Sequence, residues 1–119
     1  MLTQVGKKQD DGKLVSNGTP GILMFGPYAK RSPGKYRAVV FGSIMQPGTE
    51  PGWVDVSSGK AGKEFVKVSL GGKDAPAEAG VLANVEFSLE QPVEDLEVRA
   101  WVTQGMRVSI SAYEITEIK

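Results

Sequence analysis

The chain has 119 residues, 14 Lys+Arg balanced by 14 Asp+Glu, 40% apolar content, and neither Cys nor His. Without imidazole or thiol there is no Ser-His-Asp or Cys-His nucleophile and no zinc, iron or haem site built on those ligands, and an even charge balance offers no basic footprint for nucleic acid or an anionic membrane. These bounds leave one soluble domain over 1–119, large enough to fold without disulfides.

No apolar run reaches the roughly 18–20 residues of a membrane span, and residues 1–8 lack the basic-then-apolar layout of a secretory leader. A cytoplasmic location without membrane insertion is the expectation. Asp11-Gly12 and Asn17-Gly18 are tight-turn dipeptides and predict a small N-terminal meander over 1–20, ahead of a core spanning 21–119. Gly21–Phe25 is a short buried strand ended by Gly26-Pro27, with Tyr28 capping the core edge and Pro33-Gly34 making a type II turn. A strand over Lys35–Ile44 follows, rich in β-branched and aromatic residues. Trp53–Ser57 and Glu64–Leu70 are two more, divided by a turn over Gly59–Gly62 that lacks the GxxxxGK[ST] spacing of a phosphate loop.

Gly71-Gly72 opens a polar loop in which Asp74–Ala79 is the one stretch able to form a helical turn, shortened by Pro76. Val81–Leu89 then alternates strictly: Val81, Ala83, Val85, Phe87 and Leu89 share one face, Asn84, Glu86 and Ser88 the other. Leu96–Thr103 sends Leu96, Val98, Ala100 and Val102 inward and Glu97, Arg99, Trp101 and Thr103 outward. After Gln104-Gly105, read as a hairpin turn, Met106–Tyr113 resumes with Val108, Ile110 and Ala112 on the inner side. No 3.6-residue periodicity persists anywhere. Eight or nine short strands with 15 Gly and 7 Pro between them predict an all-β antiparallel sandwich, a jelly roll.

The runs GILMFGPYAKRSPGKYRAVVFG, VDV, FSLEQP, LEVRAWV and VSISAYEI, over about residues 14–118, resemble the carbohydrate-binding-module-like jelly-roll domains appended to bacterial glycosyltransferases and methyltransferases of cell-surface polysaccharide assembly. Gly26-Pro27-Tyr28 with Pro33-Gly34-x-Tyr36 is the most specific element. The resemblance implies the fold, and a lectin-like accessory module whose partners are a polysaccharide and an associated glycosyltransferase or methyltransferase domain.

Sugar rings stack on Trp and Tyr, and their hydroxyls take planar or bidentate partners from Asp, Glu, Asn and Arg. By parity Trp101 stands beside Arg99 and Glu97 on an outward row, and Asn84 and Glu86 would join them if a facing strand supplied them. Trp53 and Asp55, at a loop-to-strand junction, form a second pair of this kind. The bland reading makes Trp101 core and Trp53 an edge plug. Asp10-Asp11-Gly12 has carboxylates but not the spacing of a calcium loop, so a structural calcium would have to be gathered from distant loops, and no cofactor is expected. Glu94 and Asp95 are adjacent and would point to opposite faces, which argues against a glycosidase pair. The expectation is a non-catalytic glycan-binding domain; the alternative is a structural or protein-interaction β-sandwich.

Overall fold

The structure, a computed structural model, describes residues 2–71, 76 and 78–118. Nine strands form: β1 (Gly6–Lys8), β2 (Leu14–Ser16), β3 (Gly21–Arg31), β4 (Gly34–Gln46), β5 (Trp53–Ser58), β6 (Lys63–Ser69), β7 (Val81–Leu89), β8 (Val93–Val102) and β9 (Arg107–Glu117). Among the described residues none is helical, and so no helix is long and apolar enough to cross a membrane. Half of the helical turn predicted over Asp74–Ala79 falls outside the described residues.

The strands build two antiparallel sheets, ordered β1-β2-β9-β4-β7 and β3-β8-β5-β6. Pairing is nested: β5 with β6, β4 with β7, β3 with β8 and β2 with β9. A long antiparallel ribbon folded over on itself gives this pattern, and it is the jelly roll expected from the strand count. The two inner faces meet in an apolar core. Leu14, Leu23, Val40, Val54, Val56, Leu96, Val98, Val108 and Ile110 lie there fully buried.

Alternation placed the inner rows of β7 and β8 as read from the sequence: Val85, Phe87, Leu96, Val98, Ala100 and Val102 are all buried. Five local expectations need correction. The Gln104-Gly105 turn is not a hairpin, because β8 and β9 belong to different sheets; Gly105, at φ +81°, turns the chain across the sandwich end. Ala112 is exposed while Tyr113 and Ile115 pack on the core. The cause is a bulge at Ser111: Phe41 faces Ala112 but Gly42 faces Ile110, so the side-chain parity of β9 flips. Gly42 permits the close approach there, since a Cβ would lie 2.0 Å from the Ser109 carbonyl oxygen.

Gly26-Pro27 does not end β3. The strand passes through this cis bond and stays paired with β8 as far as Arg31. Pro33-Gly34 is no type II turn, because Gly34 has φ +155° where that turn needs about +80°. The N-terminal segment is also more than a meander. β1 and β2 form the predicted hairpin around Asp11-Gly12, but β2 then pairs with β9 inside the five-stranded sheet and Leu14 is wholly buried.

Candidate functional site

β5 and β8 run side by side in the four-stranded sheet, with Trp101 opposite Trp53, Arg99 opposite Asp55 and Glu97 opposite Ser57. All six side chains fall on the face turned away from the core, because their alternate neighbours Val54, Val56, Val98 and Ala100 fill the interior. The register merges the two expected pairs into one cluster. Its entry is held close by Gly52, where a Cβ would stand 2.2 Å from the Trp101 carbonyl oxygen.

Asp55 lies at the centre and is 1% exposed although it faces outward. Arg99 covers it: Nε donates to Oδ1 at 2.7 Å and Nη2 to Oδ2 at 3.1 Å. Both indoles close the remaining sides, Trp101 Nε1 donating to Oδ2 at 3.0 Å and Trp53 Nε1 at 3.3 Å. Four N–H donors compensate a carboxylate that would otherwise be costly to bury. Burial lowers the Arg99 pKa, but the hydrogen bonds and charge of Asp55, with Glu97 and Glu64, outweigh it and hold the guanidinium above its ordinary value.

The indoles stack on each other with centroids 5.2 Å apart and planes 19° from parallel. Lys67 Nζ sits 4.5 Å from the Trp53 ring centre, and Arg99 Cζ 5.2 Å from that of Trp101. Trp101 is therefore neither core nor a free platform; one face is taken by Trp53, and a cation lies against the ring. Trp53 is its stacking partner rather than an edge plug.

Beside the stack, Arg99, Glu97, Glu64, Lys63 and Ser57 line a cleft of about 290 Å³ bounded by the turn between β5 and β6. Glu97 Oε1 is 3.8 Å from Arg99 Nε. Asp95 fixes the turn: it accepts from the Ser58 hydroxyl and, at 3.1 Å, from the Lys60 N–H, while the Ala61 N–H donates to Ser58 Oγ at 3.0 Å. The Ser58 bond leads in holding the Asp95 carboxyl below its ordinary pKa. Glu94 points elsewhere, pairing with Lys30 at 3.6 Å.

Asn84 and Glu86 are not brought to this face. They stand on β7, in the opposite sheet, where Glu86 pairs with Arg37 and Asn84 is exposed opposite Val39. Sequence reasoning missed Lys63, Glu64 and Lys67, which lie just past the Gly59–Gly62 turn on the following strand, and Asp95, whose partner is 37 residues away. It also misplaced Tyr28. Instead of capping the core edge, Tyr28 is 50% exposed, with φ +64°, a left-handed conformation that costs a non-glycine residue about 1–2 kcal/mol. Its phenol is held above its ordinary pKa by the hydrogen-bonding pull of Glu97, with burial and the Glu97 charge adding to it.

Among the described residues no group of three or more Asp or Glu is placed to hold a metal ion. The arrangement presents a locked guanidinium, two reachable carboxylates, an ammonium and a hydroxyl around one cleft, which suits recognition of a ligand rich in hydroxyl groups. Comparison with protein-family models, with curated proteins and with solved structures gives no match to this chain.

Proposed function

We propose that the outward face of the β3-β8-β5-β6 sheet binds a glycan without transforming it, as an accessory module beside a glycan-modifying enzyme of the kind the sequence resemblance implies. The observation that supports this most is the Arg99 guanidinium, fastened at two points to buried Asp55 on the floor of a cleft whose other polar groups include Glu97, Glu64, Lys63 and Ser57. A hydroxyl both donates and accepts, so donors and carboxylates fixed around one opening can satisfy it, and a side chain already held in place loses little freedom on binding. The cleft volume falls near the lower end of small-ligand sites, about 300–1,000 Å³, which fits one or two sugar units. Tethering such a module to an enzyme raises the local concentration of its polymer without new chemistry.

Affinity electrophoresis of the isolated domain through gels containing soluble β-glucan, mannan, galactan or alginate tests the reading, with tryptophan fluorescence as the second readout. Retardation in at least one gel, weakened at least tenfold by Glu97→Gln or Glu64→Gln, is the expected result. Migration unaffected by every polysaccharide overturns it.

A docking module is the second reading, favoured by a different feature: an apolar cleft of about 420 Å³ lined by Ile44, Pro47, Pro51, Leu70 and Met106. It predicts an assembly mass above the monomer in sedimentation that falls on Leu70→Glu, whereas the glycan reading leaves the mass unchanged.

A further inference from the structure

The aromatic side chains on the outer face of the four-stranded sheet are unequal. Trp53 and Trp101 have their planes against each other, their N–H groups on Asp55 and cations over their rings. Among the described residues Tyr28 has no stacked ring and no cation over its face, and only its hydroxyl is engaged, by Glu97. Its ring meets Phe25 edge-on, with centroids 6.4 Å apart and planes at 72°, and half of its surface is open. The neighbouring Pro27 is paired with Glu97 across the β3-β8 register, so the phenol lies beside the carboxylate that lines the cleft.

The backbone at Tyr28 points the same way. Its φ of +64° belongs to the region that glycine occupies freely and other residues enter at a cost. An exposed ring held in that conformation adds little to the core, and residues kept in strained backbone conformations cluster where ligands are bound. The surrounding charge narrows the ligand. Glu97 bonds the phenol and Asp95 stands two residues before Glu97 on β8, while the Arg99 guanidinium is already taken up by Asp55. A carboxylated sugar resting there would meet the same two negative charges.

We infer that Tyr28, rather than the tryptophan pair, is the stacking surface for a neutral sugar ring whose hydroxyls bond Glu97 and Arg99. This rests on the glycan reading and adds to it a contact residue and a ligand class. Stacking uses the flat C–H face of the sugar against the phenol ring, which the open half of Tyr28 allows and the closed indole stack does not.

The test is the same electrophoresis, in β-glucan, mannan, galactan and alginate gels, run on wild type, Tyr28→Gly and Tyr28→Phe, with urea midpoints measured for all three. The expected result is retardation of wild type by a neutral polysaccharide, at least tenfold weaker affinity for Tyr28→Gly, a loss below threefold for Tyr28→Phe, and a Tyr28→Gly midpoint equal to or above that of wild type. Tyr28→Gly binding as well as wild type overturns the stacking role and leaves the glycan reading standing. A lowered Tyr28→Gly midpoint makes the ring structural and overturns it as well. Retardation by alginate alone overturns the neutral class, and no retardation of wild type in any gel brings down both readings together.

Discussion

Arg99 and Asp55, 44 residues apart in sequence, meet across β8 and β5 in a two-point ion pair of 2.7 and 3.1 Å, and the carboxylate beneath is 1% exposed while the guanidinium side chain keeps 26% of its surface in solvent. The asymmetry decides what each substitution does. Asp55→Ala frees Arg99 toward water but strips two indole N–H groups of their acceptor and leaves a gap under the stack. The expected cost is about 2–3 kcal/mol, below the about 3–5 kcal/mol of a fully buried pair because Arg99 can rehydrate. Urea unfolding measures it.

Arg99→Lys keeps the charge and loses the fork. An ammonium cannot return two parallel N–H···O bonds to one carboxylate, so the variant is expected to be less stable by about 1–2 kcal/mol and to bind glycan less well than wild type. Equal stability and equal affinity would show that charge alone matters at this position.

The Trp53–Trp101 stack makes a separate prediction. Offset aromatic pairs contribute about 0.5–1.5 kcal/mol beyond their buried area, and a double-mutant cycle through Trp53→Leu and Trp101→Leu isolates that coupling. Two indoles 5.2 Å apart should also give an exciton couplet in circular dichroism that either single substitution abolishes. Additive losses with no couplet in wild type would contradict the stacked geometry.

The outward row of β8 was legible in the sequence because alternation needs only local spacing, and Glu97, Arg99 and Trp101 fell where parity put them. That Asp55 sits under Arg99, and that Asn84 and Glu86 face away on the other sheet, depends on which strands pair and in what register. A single chain with alternating β patterns everywhere leaves many registers equivalent on that criterion. Tyr28 was misread for another reason. Gly-Pro is a punctuation signal in isolated segments, yet here β3 continues through it because β8 supplies partners on its far side. Ser111 hides likewise, since a bulge adds one residue without changing composition.

Alkaline pH gives a prediction with a defined sign. Tyr28 titrates above the ordinary phenol value, chiefly through Glu97, and Tyr113 does so through burial. A raised folded-state pKa gives stability that is full below the unfolded value, about 10, and is lost as pH rises toward the folded one. Absorbance at 295 nm should show two phenols ionising late. Glu97→Gln should bring the Tyr28 step toward lower pH and leave Tyr113 where it was; if both steps stay put, Glu97 is not the cause.

Asp95 gives the complementary acid-side prediction and bears on the cleft itself. Its carboxyl, bonded by Ser58 and the Lys60 N–H, titrates below 3.8. A depressed folded-state pKa gives stability that is present above the unfolded value and lost as pH falls through the folded one. The β5-β6 turn should therefore stay latched at neutral pH and loosen only in strong acid. Asp95→Asn should bring that loosening to neutral pH, because an amide oxygen accepts more weakly than a carboxylate. Hydrogen exchange at the Lys60 and Ala61 amides reads the latch directly. Their exchange should quicken in the variant while core amides of Val56 and Val98 hold their rates, and glycan affinity should fall with them because Lys63 and Glu64 leave the turn at its far end. Unchanged exchange at both turn amides would mean that Asp95 does not hold the cleft wall.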